Sequence, residues 1–325
     1  MAVYYIDSLC GDDENDGLTE LTAKASYRGL SLCDGDTVLL RTGTEYRDTL
    51  TSKANGVRIT SYGDGDMPKI TLSTQRSAPY LWGADGENIY KLLIKTAKEP
   101  KNVIFDFGAY AGERTSRMPR VIGQWQATKT DGGYELRLYS DGSPTTYYRD
   151  IEVAADVTPA LTVCGDCEIN GISFFGTAGP AVSITAGKAV IRDCRFEFAG
   201  TPGEDTNCLN IAGSAEISDC SFMNTYAPSI RIYGGASDVS IVSNTFTSFR
   251  RCGVLTDGKD CKTMIELNVF DPASADKFIA SAGAVAPVEV ISGHDVTIRR
   301  NVFRKLHEPI VSDGASSTVE NNEKQ

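Results

Sequence analysis

Histidine is almost missing: the 325 residues hold two, His294 and His307. Zinc clusters built on histidine and Ser-His-Asp triads need imidazole at the reacting centre, so this shortage argues against both. His294 falls in a turn beside Asp295, and His307 on a loop beside Glu308, where solvated side chains are expected. Positive charge is in deficit, with 32 Lys+Arg against 43 Asp+Glu and a formal net charge of −11. That balance speaks against a nucleic acid or an anionic membrane as partner, while a local Arg/Lys groove still suits an acidic glycan. No apolar run approaches membrane-spanning length, and the opening Met1-Ala2-Val3-Tyr4-Tyr5-Ile6 lacks the form of a signal peptide. Nine cysteines, an odd count, show no disulfide-scaffold spacing. Read as written, that fits a cytoplasmic, reducing compartment; a secreted chain stripped of its leader fits equally.

Metal motifs are also lacking. Asp12-x-Glu14-x-Asp16-Gly17 starts like a calcium loop, but the twelfth position is Ala23, so it reads as an acidic capping turn. Cys164-Gly165-Asp166-Cys167 is a lone C-x-x-C, without the second pair zinc needs or the βα context of a redox motif. No metal site is expected.

What the sequence does have is a repeated phrase. Ile169-Asn170-Gly171-Ile172-Ser173-Phe174 returns as Ile191 to Phe196, Ile217 to Phe222, Ile241 to Phe246, Ile265 to Phe270 and Ile298 to Phe303, and Val319-Glu320-Asn321-Asn322 starts a last copy. The leading aliphatics are 22, 26, 24, 24, 33 and 21 residues apart. A period in the twenties marks a stacked-repeat architecture. Each unit is too short for two helices, and its apolar residues alternate as in strands. A second short strand lies between phrases, as in Ala181-Val182-Ser183-Ile184, Cys208-Leu209-Asn210-Ile211 and Val288-Glu289-Val290-Ile291. Three short strands and three turns make one coil of a parallel β-helix, each coil about 4.8 Å above the last. The third place after the leading aliphatic reads Ile172, Cys194, Cys220, Asn244, Asn268, Asn301, Asn322. Asparagines there are expected to turn a corner and bond to one another in an internal ladder, with the phenylalanines two places on stacked inside. Cys194 and Cys220 then pack indoors as small apolar residues.

The rest of the chain falls into three parts. Residues 1–72 read as an N-terminal cap and first coils, with a strand at Val3-Tyr4-Tyr5-Ile6-Asp7, a short helix over Thr22 to Leu32, and strands at Thr37–Arg41 and Val57–Thr60. Residues 73–150 break the rhythm and read as an inserted β-hairpin subdomain, with Asp131-Gly132-Gly133 as a turn. Residues 151–325 read as coils from Ile151 onward. The 33-residue spacing marks an extra loop within Asp271 to Pro287. The fold class is all-β: a right-handed parallel β-helix with an inserted small β-subdomain and an N-terminal cap.

The I-x-x-N-x-F phrase resembles the right-handed parallel β-helix of pectate lyases and related β-helix glycoside hydrolases of bacteria, over roughly half the chain. The opening Tyr-Tyr-Ile-Asp, Asn-Asp-Gly-Leu and Gly-Asp-Thr-Val-Leu-Leu is similar to the start of many such proteins, although Ala25-Ser26-Tyr27 stands where the cap usually carries an early Trp or Phe. The resemblance implies a substrate groove along the outer face of the Ala181-type strand. Alternation puts Ser183, Asn210, Arg231, Tyr233, Leu255, Asp257 and Glu289 on that face. The loops entering it add Glu204, Asp205, Tyr226, Arg250, Arg251 and Lys277. Every face of a β-helix must be covered by polar residues, so polarity alone does not mark a site; the mixture of Arg, Asp and Glu beside a long loop sets this one apart.

Two chemistries fit. Glycoside hydrolysis needs two carboxyls, for which Asp257 and Glu289 are expected one coil apart, near the retaining spacing of about 5–5.5 Å. Elimination on a uronic-acid glycan needs a cation to neutralise the carboxylate, Arg231 or Arg250, and a base, Lys277 or Arg251, with calcium as the cofactor a lyase would add. Asn210, Tyr226, Tyr233, Arg250, Arg251 and Asp205 are the expected substrate-binding residues, with the tyrosines stacking on sugar rings. Hydrolysis of a poly- or oligosaccharide ranks first, elimination second. A non-catalytic glycan-binding scaffold of the tail-spike or adhesin kind ranks third. The sequence shows neither an apolar exposed face nor an assembly segment, so it sets no oligomeric state, and the open coil after Asn322 leaves an edge to be covered.

Overall fold

The computed structural model describes residues 1–201, 206–258, 260–272, 286–292, 295–304, 310–312 and 317–325. Its main body is three parallel sheets of ten, nine and eight strands. Each coil gives one strand to each sheet. One coil supplies Lys188–Arg192, Arg195–Glu197 and Leu209–Ile211; the next supplies Ser214–Ser218, Ser221–Met223 and Ile230–Ile232. In the ten-stranded sheet the leading aliphatics fall in strict register, Ile169 on Ile191, Ile217, Ile241, Ile265, Ile298 and finally Val319. Isoleucine and valine suit such strands because their branched side chains pack well on a pleated surface. All but Val319 are buried.

The corner after these strands is made by the residue before the amide position, not by the asparagine itself. Gly171, Asp193, Asp219, Ser243, Leu267, Arg300 and Asn321 all have φ between 49 and 69°. Placing the left-handed kink one residue early turns the next side chain inward, where it meets its counterpart on the adjacent coil. Asn244 Nδ2 donates to Asn268 Oδ1 (3.1 Å), Asn268 Nδ2 to Asn301 Oδ1 (3.0 Å), and Asn301 Nδ2 to Asn322 Oδ1 (3.0 Å). Each of those oxygens also accepts the backbone N–H of the preceding asparagine, at 2.9 Å. Six phenylalanines, from Phe174 to Phe303, stack beside this ladder with centroids 4.6–5.2 Å apart and planes within 14°.

The N-terminal end differs from expectation. Glu20–Thr22 forms one 3-10 turn, and no helix runs over Thr22 to Leu32. Tyr27 closes the stack instead: it is 1% exposed, lies 5.9 Å from the Tyr46 ring, and its hydroxyl donates to Asp48 O. Burying that ring with its hydroxyl satisfied offers more than a helical turn would.

The coils are interrupted once. Leu161–Val163 pairs directly on Leu50–Ser52, so the chain from Ser73 to Ala160 is an excursion from a single turn. It builds a four-stranded and a five-stranded sheet, mostly antiparallel. Ile151–Ala154, expected to open the coils, pairs antiparallel with Asn102–Phe105 and with Ser73–Gln75, and so belongs to the excursion. It resembles a coil strand because Ile151, Val153 and Ala154 are apolar and all four of its residues are buried. The Gln124–Thr130 and Gly133–Tyr139 strands form the hairpin signalled by Asp131-Gly132-Gly133. Gly133 has φ +131°, and a Cβ there would sit 2.2 Å from Ile94 O, so only glycine fits. The excursion docks through Ile104 and Ala111, packed against Phe175, Phe198 and Tyr226 of the coils.

Candidate functional site

The eight-stranded sheet carries the face singled out by alternation. Its central positions stack in register: Thr51, Thr162, Ser183, Asn210, Arg231, Leu255, Glu289. Flanking residues on each strand point in and are buried, among them Val182, Ile184, Leu209, Ile211, Ile230 and Ile232. The face is more enclosed than a solvated ridge. Leu255 is 1% exposed, and the Arg231 and Glu289 side chains are 15% and 19% exposed.

Its polar groups form two knots. In the first, Arg231 Nη2 and Nε both donate to Asp257 Oδ2, at 2.7 and 3.2 Å. The guanidinium also lies 4.5 Å from the Tyr233 ring centre, a cation–π contact. The Tyr233 hydroxyl reaches Asn210 Oδ1 (3.4 Å) and meets Asn207 Nδ2 (2.9 Å), which in turn donates to Asn210 Oδ1 at 3.0 Å. In the second knot, Arg251 stands 3.6 Å from Glu289 Oε2. Burial and the neighbouring Glu289 raise the Cys252 thiol well above its ordinary range, so it stays protonated. Asp257 Oδ1 and Glu289 Oε2 are buried and receive no hydrogen bond from the described residues. Buried polar atoms are normally hydrogen-bonded, so two carboxylate oxygens without a hydrogen bond on one face stand out, Glu289 Oε2 having only the longer Arg251 contact.

The structure thus brings Arg231, Tyr233, Asn210, Asp257, Glu289 and Arg251 onto one side of the coils. It corrects the pairing of the carboxyls. Glu289 sits on Leu255, not on Asp257, which lies two residues further along the adjacent strand. One coil up and two residues along gives about 8 Å between their Cα positions, not 4.8 Å. Tyr226 is also corrected: it is 3% exposed and packs with Phe198 and Phe175 beneath the excursion. The excursion covers an aromatic that would otherwise face solvent. Asp205 and Lys277 lie outside the described residues, as do Glu204, His294 and His307.

A feature with no signal in the repeat pattern adjoins this face. A cleft of about 620 Å³ opens between the excursion and the turns that lead into the eight-stranded sheet. Lys101, Arg114, Trp125 and Gln126 line it from the excursion, and Thr201, Tyr226 and Arg250 from the coils. Arg114 lies 5.4 Å from the Trp125 ring centre. Glu99 accepts from both Lys101 and Arg114, and these hydrogen bonds, that from Lys101 foremost, lower its pKa below the ordinary carboxylate value. Arg250 has no ion-pair partner among the described residues, and its neighbour in sequence, Arg251, reaches Glu289. Antiparallel hairpins carry no register that ties Lys101 or Arg114 to a coil, so the sequence pattern does not reveal them.

No family model matches the sequence, and no curated protein matches it significantly. Solved structures do. The chain is similar to XylC in its complex with xylose, at 8% identity and a TM-score of 0.59, over 99% of this chain and 70% of that one. The chain is a right-handed parallel β-helix. A structure described as a glycoside hydrolase matches at 10% identity and a TM-score of 0.49, over 99% and 97% of the two chains. The family 28 exopolygalacturonase of Yersinia enterocolitica matches at 13% and 0.47, over 99% and 66%. At such identities the likeness speaks for the fold of this β-helix, and its chemistry has to be argued from its own side chains.

Proposed function

We propose that this β-helix acts on a carbohydrate, and that its outer face hydrolyses a glycosidic bond with Asp257 and Glu289 as the paired carboxyls. The observation that carries the reading is a pair of buried carboxylate oxygens without a hydrogen bond, Asp257 Oδ1 and Glu289 Oε2, on neighbouring coils of one enclosed face, the second held only by the longer ion pair with Arg251. In such a reaction one carboxyl gives its proton to the leaving oxygen while the other takes a proton from water, whose oxygen joins the anomeric carbon. Both expelled and added groups are then accounted for without a further reactant. The Asp257 carboxylate reaches toward Arg231, on the side of the Leu255 strand away from Glu289, so the two carboxyls diverge from Cα positions about 8 Å apart, which supports inversion over the closer retaining geometry. Arg231 holds Asp257 by one oxygen only, which fixes the carboxylate and leaves Oδ1 toward the face. The same contact weakens the elimination reading for Arg231, which a carboxylate already engages, and leaves Arg250 as the cation such a reaction would use. XylC, a fold neighbour solved with xylose, supports a sugar as a ligand this scaffold can hold.

The test is turnover of neutral and uronic-acid oligosaccharides by the wild-type chain and by Asp257→Asn and Glu289→Gln. Release of reducing ends that both substitutions abolish, with inverted anomers seen first by NMR, is the expected result. Turnover that survives either substitution overturns the assignment. Products that absorb in the ultraviolet through a new C4–C5 double bond replace it with elimination. Binding without any product replaces it with a scaffold role.

A further inference from the structure

A second cluster lies far from Asp257 and Glu289, where the excursion leaves the nine-stranded sheet. Asp106 and Phe107 there are successive non-glycine residues in the left-handed region, with φ of 53 and 59°. The left-handed region is unfavourable for an L-residue, and such strain persists only where surrounding contacts enforce it. The enforcing contacts are visible. Asp106 Oδ1 accepts from Arg149 N at 2.7 Å, and Oδ2 accepts from the Tyr110 hydroxyl at 3.1 Å. Gly108, with φ +90°, lets the loop lie against the Phe175 ring, which a Cβ would approach to 2.8 Å. The product of this strain is an aromatic ring held in the open: Phe107 is 69% exposed.

That ring borders a polar pocket of about 130 Å³. The pocket is built from buried charge. Glu152, 5% exposed, takes Arg47 with both oxygens, at 2.8 and 3.2 Å. Arg47 is fixed further by donating to Ser73 O (2.6 Å) and to Glu45 Oε2 (3.0 Å). Lys69 donates to Glu45 Oε1 at 2.9 Å and stands 5.2 Å from the Phe175 ring centre. Asp150, 3% exposed, uses Oδ1 for Gln75 (2.9 Å) and Ser77 (3.1 Å), while Oδ2 receives no hydrogen bond from the described residues. A buried carboxylate with one oxygen open to a pocket is a prepared acceptor.

We infer that this pocket is a second sugar-binding subsite, in which the apolar face of one pyranose ring rests on Phe107 and its hydroxyls meet Asp150 Oδ2 and the Glu45–Lys69 pair. A flat aromatic beside fixed charged acceptors and donors matches the two surfaces of a sugar ring, one of C–H groups and one of hydroxyls. The class of sugar follows from the charges. Glu45, Asp150 and Glu152 outnumber Arg47 and Lys69 by one, so a uronic acid is repelled and a neutral sugar is selected. The inference does not rest on Asp257 or Glu289.

The test uses the full chain and saturation-transfer NMR with xylobiose, cellobiose, lactose and digalacturonate. Phe107→Gly is the informative variant, because it removes the ring and relieves the positive φ, so the fold gains stability as the site is lost. At least one neutral disaccharide should give a signal on wild-type protein that weakens by about three- to tenfold in Phe107→Gly. That signal should persist in Glu289→Gln, and the melting temperature of Phe107→Gly should rise. The inference is overturned if no neutral disaccharide gives a signal, if the signal is unchanged by Phe107→Gly, or if it vanishes in Glu289→Gln. A response confined to digalacturonate overturns the neutral class.

Discussion

Replacing Asn268 with leucine tests the ladder where it is most tightly bound. Asn268 is fully buried, and its amide makes four hydrogen bonds to three neighbours. Oδ1 accepts from Asn244 N (2.9 Å) and Asn244 Nδ2 (3.1 Å); Nδ2 donates to Asn301 Oδ1 (3.0 Å) and to Ile241 O (2.8 Å). Leucine has the same branched outline with bulkier methyl groups, so no cavity opens, and the loss is one of hydrogen bonds with some crowding added. The Asn244 backbone N–H is left with no acceptor inside the stack, a penalty of about 1–3 kcal/mol. Asn244 Nδ2 keeps Ile217 O at 2.9 Å and Asn301 Oδ1 keeps the residue 268 N–H, so those two losses are partial. Together the change is about 2–3 kcal/mol, softened slightly by the added apolar surface. In a chain of this length that corresponds to a fall in melting temperature of roughly 3–5 °C. Thermal unfolding followed by far-ultraviolet circular dichroism measures it. A melting curve that coincides with wild type would refute the ladder as a stabilising element.

Two further outcomes follow from the same coils. Cys194 N–H faces the Cys220 sulfur, a weak acceptor, at the place where the ladder stops. Cys220→Asn should extend the ladder by one rung and stabilise by about 1 kcal/mol; a lower melting temperature would show that the thiol position is too tight for an amide. Glu197 on the nine-stranded sheet has its pKa raised, chiefly by burial, with Arg195 and Lys69 opposing. A carboxyl raised in the fold favours it at pH below the unfolded value and loses that contribution as pH rises through the folded value. Glu197→Gln should therefore match wild type near pH 4 and melt higher at neutral pH, and a gap that does not widen with pH would argue against a buried charge.

The coil register was legible because it rests on two residue types at fixed places. Ile169 through Ile298 and Phe174 through Phe303 each repeat with one orientation, and an error of one residue would turn the whole row outward. The face bearing Arg231 and Glu289 followed from the same alternation. The Asp257–Glu289 relation did not, since Asp257 lies just past the strand Val254–Thr256 and alternation inside strands does not count offsets between coils. Tyr226 was misjudged for a different reason. Its burial depends on Ile104 and Ala111, residues more than a hundred positions earlier that reach it only through the docking of the excursion. Lys101, Arg114 and Phe107 depend on that excursion as well, and hairpin alternation does not say against which coil a hairpin leans.

The lengths of the turns explain why the candidate sites gather on one side. Between the ten- and nine-stranded sheets the turn is two residues in most coils, as between Arg192 and Arg195 or Val242 and Thr245. The left-handed residue and the ladder amide fill it, so an insertion there would break the ladder. The turn from the nine- to the eight-stranded sheet has no such constraint. It runs over six residues from Phe175 to Val182 and from Met223 to Ile230, eleven from Glu197 to Leu209, sixteen from Asp271 to Val288, and 89 from Thr71 to Leu161. Long loops closing between fixed ends cost only the logarithm of their length, so this turn can grow while the coils keep their register. Arg250, Arg251, the 620 Å³ cleft and the excursion with Phe107 all belong to this turn. The stack supplies rigid strands with outward positions about 4.8 Å apart, and the turn of most variable length supplies side chains that enclose them. The candidate sites therefore lie on the side where length varies most, while the ladder holds the corner between the ten- and nine-stranded sheets at two residues.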